Sequence, residues 1–303
     1  MTSPLRFGLV GHPVRHSLSP ALFAAAFNEA GLPHRYSLFD AADLTGFSNV
    51  VSELREGAIA GLNVTAPFKR HAVTVADEQT EAVGFTGAAN VLIRRPDGTI
   101  LADSTDVGAL VAEIAELSPK AKRIAIVGAG GAALAAVRAC HVRGVGLVAV
   151  TTRSWCDSES LVGSEVAERL RELGAIPCPW PGSDGREPES RSSMVLRLRF
   201  RELCATADMV IQATSAGVEG GESGEGVAAC IPWDDLSPAT IALELIYRPS
   251  TTPFLIEATS RKMAARNGVG MLVRQAEAAY QLWIGTPAPA GVMRKTAAAR
   301  GES

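Results

Sequence analysis

Short apolar runs alternate with helical patterns along the whole chain. Arg6–Gly11 (RFGLVG) has the character of a first strand. Ser19-Pro20 then opens a helix through Ala30, with Ser19 as its N-cap and Pro20 at the first helical position. A strand near Tyr36–Phe39, a helix near Leu44–Leu54 and a strand over Ile59–Val64 follow, and Pro67 starts another helix. Ala89–Ile93 and Thr99–Ala102, joined by Pro96-Asp97-Gly98, predict a hairpin. A helix from about Asp106 to Glu116 ends at Ser118-Pro119-Lys120, which reads as an interdomain joint.

The pattern then restarts. Strand Arg123–Val127, a glycine turn, helix Ala132–Arg143 and strand Leu147–Thr151 make one strand–turn–helix–strand unit. Glu165–Leu173 predicts a helix, Met209–Gln212 and Ile241–Leu245 strands, and Thr252–Arg266 and Gly270–Trp283 helices. Pro179–Ser193 (PWPGSDGREPESRSS) reads as a loop, a mobile surface insertion, and the tail from about Ala288 is Ala-rich. Strands alternating with helices predict the α/β class with parallel sheets.

The length of 303 residues sets a prior of two domains. With 29 basic and 32 acidic residues the net charge is −3, which argues against a general nucleic-acid binder. The longest charge-free apolar stretch, Ile124–Val137, has 14 residues and is broken by glycine, short of the ~20 a membrane helix needs. The N-terminal MTSPLRFGLVG lacks a signal peptide's apolar core. Five cysteines (Cys140, Cys156, Cys178, Cys204, Cys230) form no CxxC pair and read as reduced thiols. Together these give a cytoplasmic expectation.

Some stretches carry chemistry. Gly128-Ala129-Gly130-Gly131-Ala132-Ala133 lies between a strand and a helix, where glycines let the backbone approach a pyrophosphate and the helix N-terminus offers N–H groups. The following strand runs into Thr152-Arg153-Ser154, where an Arg accommodates a 2′-phosphate; Arg153 therefore favours NADP over NAD, and Asp157 opposes it. Lys69, in Asn63-Val-Thr65-Ala-Pro67-Phe-Lys69, sits in a helix first turn, where the dipole repels a cation. It is one of only five lysines, and needs a compensating partner or a use. Asp106 follows Ser104-Thr105 and opens a helix, a common and favourable place for an acid. Ser17 and Ser19 flank Leu18 after the first strand. The histidines (His12, His16, His34, His71, His141) show no metal-ligand spacing, and GxSxG, HExxH and Walker A motifs are absent, so no metal is expected.

The set resembles the shikimate dehydrogenase family over nearly the whole chain. The matching stretches are His16-Ser-Leu-Ser-Pro20, Asn63–Lys69, Gly87-Ala-Ala-Asn90, Ser104-Thr-Asp106, Gly128–Ala133, Ala213-Thr214-Ser-Ala-Gly217, Tyr247 with Pro249, and Gly270-Met-Leu-Val-Arg-Gln275-Ala. The resemblance implies an N-terminal α/β substrate domain and a C-terminal Rossmann domain for NADP, with an interdomain cleft. The substrate domain would be discontinuous, residues 1–107 with about 272–303, and the Rossmann domain would be 108–271. It also implies that Ser17 and Ser19 hold the substrate carboxylate, that Thr65, Asn90, Asp106 and Gln275 hold ring hydroxyls, that Tyr247 closes the site, and that Lys69 and Asp106 are the catalytic pair. Gly128–Ala132, Arg153, Thr214 and Gly268 would hold the cofactor. The implied activity is reversible NADPH-dependent reduction of 3-dehydroshikimate by a monomer or homodimer.

Departures sit mainly on the cofactor side. The family usually shows Asn before Thr-Asp, Asn before Ala-Thr-Ser, and often His before the glutamine; here Ser104, Gln212 and Arg274 stand there. Thr152, Ser154 and Asp157 depart from its adenosine loop and leave the choice between NADP and NAD open. Ser19 leans toward shikimate over quinate. Two other readings stand beside the first: a quinate/shikimate or aminoshikimate-type dehydrogenase, and a non-catalytic NADP-sensing protein, which would have no need of Lys69 beside Asp106.

Overall fold

The computed structural model describes residues 3–181 and 191–300. Contacts between Cα atoms divide the chain into two compact units, Met1–Ala109 with Gly270–Ser303, and Leu110–Val269.

The first unit begins with β1 (Arg6–Gly11), α1 (Ser19–Glu29), β2 (Arg35–Asp40), α2 (Leu44–Glu56) and β3 (Gly61–Val64). Asp43 caps α2, accepting from Gly46 N at 2.8 Å, and Gly57 ends it in the left-handed region. Then come α3 (Lys69–Thr74), β4 (Glu78–Gln79), α4 (Glu81–Thr86), β5 (Val91–Arg94), β6 (Ile100–Asp103) and α5 (Thr105–Leu117), the last running on into the second unit. The sheet order is β2-β1-β3-β5-β6-β4. It is mixed rather than parallel, because the predicted hairpin lies in its middle: β5 is antiparallel to both β3 and β6.

Two expectations fail locally in this unit. Pro67 does not start α3. It lies in a turn closed by Phe68 N donating to Thr65 O at 2.9 Å, with a cis Ala66–Pro67 bond, and the helix begins at Lys69. Ser19 does not cap α1. The N-cap is Leu18, Ser19 is the first helical residue, and Ser17 Oγ accepts Ser19 N at 3.2 Å. Ser17 thus takes up a first-turn N–H that Ser19, already helical, cannot reach itself.

In the second unit β7 (Arg123–Val127), α6 (Gly131–Val142), β8 (Leu147–Thr151), α7 (Ser158–Val162), α8 (Glu165–Glu172) and β9 (Ile176–Cys178) build the first half. The second half is α9 (Arg191–Ala205), β10 (Met209–Gln212), α10 (Glu225–Ala229), β11 (Ile241–Glu244), α11 (Pro253–Ser260) and β12 (Ala265–Arg266). The sheet is β9-β8-β7-β10-β11-β12 and parallel throughout. Counted within the unit, that is order 3-2-1-4-5-6 of a dinucleotide fold, with its switch point between β7 and β10. Both strands are almost wholly buried, as a sheet covered on both faces requires.

The helix expected over Thr252–Arg266 stops at Ser260. Lys262 adopts φ 61° and turns the chain back, so that Ala265 and Arg266 pair with β11. Of the loop expected over 179–193, residues 182–190 lie outside the described residues, and helix α9 already begins at Arg191. Burial pushes the Cys178 thiol up to about 11 and those of Cys140 and Cys204 to about 12, so these are inert core groups at neutral pH.

α12 (Val269–Ile284) and α13 (Val292–Ala299) complete the first unit. The aromatic face of α12 accounts for that return. Trp283 stacks on Phe7 at 5.0 Å and touches Phe23, while Tyr280 meets Phe27. Trp283 also covers Gly61, where any Cβ would lie 2.3 Å from its Nε1. The Ala-rich tail forms α13, which buries Met293 and Ala297 and packs on α1. Among the described residues no helix is long and apolar enough to cross a membrane, and no group of three His, Cys, Asp or Glu could hold a metal ion.

Candidate active site

The first unit gathers five polar residues from four separate chain segments into one network. Lys69 opens α3, and its Nζ lies 2.5 Å from Asp106 Oδ2 in α5. The Asp106 side chain is 4% exposed and that of Lys69 is 24% exposed, so the carboxylate is withdrawn from water while the lysine side chain stays partly exposed. This ion pair offsets the unfavourable dipole at Lys69's helical position.

Asn90, just before β5, holds the other end. Its Nδ2 donates to Asp106 Oδ1 at 2.8 Å and Thr105 Oγ1 at 2.9 Å, and its Oδ1 accepts Thr105 N at 2.8 Å. Gln275 of α12 approaches the same Nδ2 with its Oε1 at 3.3 Å. An amide nitrogen has two hydrogens, so three acceptors compete for them, and Gln275 is the longest contact and the readiest to serve another group. The backbone locks Asn90 in turn: Val64 N donates to Asn90 O, and Asn90 N donates to Asp103 O. Both oxygens of Asp106 thus have fixed donors, which hold the carboxylate in one orientation.

Ser17 stands on the β1–α1 connection and Ser19 opens α1, its N–H donating to Ser17 Oγ. Thr65 begins the turn before Lys69, and its N–H donates to Val10 O at the end of β1. Thr105 and Asn63 enter the arrangement without having been singled out from sequence. Asn63 accepts Tyr36 Oη at 2.8 Å and donates to Asn90 O at 3.3 Å. Its place in the Asn63–Lys69 stretch was the available signal.

The second unit carries the glycine turn at its switch point. Gly128 has φ 122°, and a Cβ there would lie 2.9 Å from Ala213 O of the neighbouring strand end, so only glycine fits. Gly130 has φ −83° and open space where a Cβ would stand; neither conformation nor packing asks for glycine. α6 begins next, and no side chain hydrogen-bonds its first turn at the cap. A turn stripped of side chains before an uncapped helix fits a pyrophosphate group. Gln212, which departs from the family's usual Asn, ties the adjacent turn together, donating to Ala216 O at 3.0 Å and accepting Thr214 N at 2.6 Å. Gly268 is a crossing point: its N–H goes to Ile246 O, and a Cβ would fall 2.2 Å from Leu245 O.

Arg153, two residues past β8, is engaged by a residue that sequence reasoning missed. Both of its terminal nitrogens pair with the Glu222 carboxylate, Nη2 donating to Oε2 at 2.6 Å. Asp157, expected to oppose a phosphate, is committed as the N-cap of α7, accepting Ser160 N at 2.7 Å.

Tyr247 follows β11 in the same unit, in a segment fixed by Glu244. That carboxyl is fully buried, accepting Ile246 N at 3.2 Å and Thr252 Oγ1 at 2.9 Å, and burial pushes its pKa from 4.5 to about 8. Between those values the folded protein keeps a proton that the unfolded chain has released. Its contribution to stability is complete below pH 4.5 and is lost as pH rises through about 8. Glu244→Gln, which stays neutral, is expected to flatten the decline in Tm across the interval between those two values. Wild-type and variant curves that run parallel would refute the assignment.

Residues 9–92 match the family described as Shikimate dehydrogenase substrate binding domain, and residues 268–298 match the Shikimate 5'-dehydrogenase C-terminal domain. The chain is 34% identical to shikimate dehydrogenase (NADP(+)) of Caulobacter vibrioides over 289 residues, 93% of this chain and 90% of that one. It is also 34% identical to the Methanopyrus kandleri enzyme of the same name, over 95% of this chain and 93% of that one. Among solved structures, shikimate 5-dehydrogenase from Thermus thermophilus, in complex with NADP(H) and shikimate, is 27% identical with a TM-score of 0.76, covering 99% of this chain and 100% of that one. With two relatives above 30% identity along nearly their full lengths, and with the strand order and polar network described above, the chain belongs to the shikimate dehydrogenase family.

Proposed function

We propose that this chain catalyses the reversible NADPH-dependent reduction of 3-dehydroshikimate to shikimate. The observation that carries the reading is the Lys69–Asp106 pair, an ammonium held 2.5 Å from a buried carboxylate beside a side-chain amide. NADPH, when bound, supplies a hydride to the ring carbonyl carbon. Lys69 Nζ supplies the proton to the carbonyl oxygen and stabilises its developing negative charge. Lys69 then regains a proton from solvent, its side chain being partly exposed. Asp106 holds the Lys69 ammonium in position and accepts a hydrogen bond from the adjacent ring hydroxyl.

The remaining site residues take supporting roles in this reading. Ser17 and Ser19 bind the substrate carboxylate, and Thr65, Asn90 and Gln275 bind ring hydroxyls, with Tyr247 a further substrate residue. Gly128, Ala129, Gly130, Gly131 and Ala132 cradle the pyrophosphate, Arg153 takes the 2′-phosphate, and Thr214 and Gly268 border the same cofactor. A purely NADP-sensing protein would have no use for a proton donor so placed. The test is initial-rate measurement with shikimate and quinate, each against NADP+ and NAD+. Shikimate with NADP+ is expected to give the highest kcat/KM. A higher value with quinate would overturn the substrate, and cofactor binding without turnover in any combination would overturn the activity.

A further inference from the structure

The proposed chemistry uses Arg153 but gives no part to Glu222, the residue paired with it. Arg153 stands at the end of β8, the second strand of a 3-2-1-4-5-6 sheet, where the adenosine ribose is read in such folds. Its guanidinium fork is already filled by Glu222, which meets it in the two-point geometry that suits carboxylate or phosphate. The contact is prepared by the backbone. Gln212 stitches the turn after β10, Gly217 takes φ 103°, and Gly217 N donates to Glu222 O at 2.7 Å, folding the loop back on itself. The side chains are 46% and 54% exposed, so an incoming anion can reach Arg153 and displace the carboxylate into water. Asp157 adds a second negative charge four residues on, kept ionised by the hydrogen bonds of the α7 cap and held there rather than on Arg153.

We infer that Glu222 is a specificity-determining residue that competes with the cofactor's 2′-phosphate for Arg153. The inference rests on the reading of Arg153 as the 2′-phosphate residue. A phosphate monoester carries a charge near −2 at neutral pH. It must break the Arg153–Glu222 pair and then sit beside the released carboxylate. A cofactor with a free 2′-hydroxyl does neither, and its hydroxyl can donate to Glu222 as ribose hydroxyls do to acidic residues at this strand end. Glu222 therefore lowers the preference for the phosphorylated cofactor, narrowing the gap between NADP and NAD.

The test is calorimetric titration of the full chain with 2′,5′-ADP and with 5′-AMP, which share the adenosine and differ in the 2′-phosphate. Glu222→Gln removes the charge and keeps the size. It is expected to tighten 2′,5′-ADP by about three- to tenfold, the range for releasing one exposed ion pair and one like-charge repulsion, while 5′-AMP binding holds or weakens. Arg153→Ala is expected to weaken 2′,5′-ADP at least about tenfold with little change in 5′-AMP. If Arg153→Ala weakens 2′,5′-ADP but Glu222→Gln leaves the ratio of the two affinities unchanged, the competition is refuted and the role of Arg153 stands. If Arg153→Ala leaves 2′,5′-ADP binding unchanged, the 2′-phosphate reading itself fails. Glu222→Ala serves as a second removal of the charge, and an unchanged thermal midpoint for each variant separates ligand effects from damage to the loop.

Discussion

Lys69→Ala is expected to lower kcat for the reduction of 3-dehydroshikimate by roughly three to four orders of magnitude, with KM for that substrate changing only modestly. The size follows from two losses at one atom. Removing a positioned general acid costs about 10²–10⁴ in rate, and removing a donor aimed at a developing oxyanion costs about 10²–10³; the two overlap because one Nζ does both. KM moves little because Ser17, Ser19, Thr65, Asn90 and Gln275, which bind substrate in this reading, remain in place. Asp106 would still be held through Oδ1 by Asn90 Nδ2 at 2.8 Å, so the carboxylate keeps its orientation without the ammonium. Lys69→Arg is not expected to restore the rate, since a guanidinium does not give up its proton at neutral pH. Steady-state kinetics with 3-dehydroshikimate and NADPH make the measurement, with circular dichroism verifying the fold. A kcat within about tenfold of wild type, well short of a general acid's contribution, would remove Lys69 from the chemistry.

The pair is partly legible in the sequence. A lysine at a helix start is electrostatically misplaced, and that misplacement asks for a partner. What sequence cannot supply by itself is the identity of the partner. Asp106 lies 37 residues away, and its approach depends on β5 and β6 returning antiparallel beside β3, a tertiary fact. The strands of the second unit are readable for a simpler reason. Runs such as Arg123–Val127 are apolar at nearly every position because both faces of their sheet are covered. Helix starts are less legible. Ser19-Pro20 has the composition of a cap followed by a first-turn proline, yet the chain enters α1 one residue earlier and assigns the N–H to Ser17. Pro67 misleads in the same way, because a proline is as well suited to a turn as to a helix start.

Glu222 illustrates a harder limit. It lies in Gly220-Gly-Glu-Ser-Gly224, a stretch with no periodicity, 69 residues from Arg153. Local pattern cannot announce such a contact; it follows from β8 and β10 flanking β7 in the sheet, which brings their C-terminal loops to the same end. Asp157 adds a second role to the one its position suggests: its carboxylate caps α7, and the hydrogen bonds of that cap hold its pKa down, so it stays charged.

The two glycines assigned to the cofactor, Gly130 and Gly268, should separate sharply when each is changed to alanine. At Gly268 the new methyl would meet the backbone of Leu245, 2.2 Å from its oxygen and 2.6 Å from its carbonyl carbon, at a crossing between β11 and the start of α12. Backbone atoms in a sheet-end turn cannot swing aside as a flexible side chain can, so the overpacking cost is expected near its usual upper range, about 3 kcal/mol. That corresponds to a fall in Tm of roughly 6–12 °C for a unit of the size of Leu110–Val269. Gly130→Ala should leave Tm within about 2 °C, because its φ of −83° suits any residue and no heavy atom lies within 4 Å of the added carbon. A glycine that neither conformation nor packing requires, placed before an uncapped helix, is explained by what must come close to its backbone. Gly130→Ala is therefore expected to weaken NADP+ binding by at least about tenfold, roughly 1.4 kcal/mol, through steric contact with the pyrophosphate. Differential scanning fluorimetry and calorimetric titration read the two quantities separately. A stable Gly130→Ala protein with wild-type NADP+ affinity would refute the pyrophosphate cradle. A Gly268→Ala protein with unchanged Tm but lost binding would move Gly268 from the packing of the fold to contact with the cofactor.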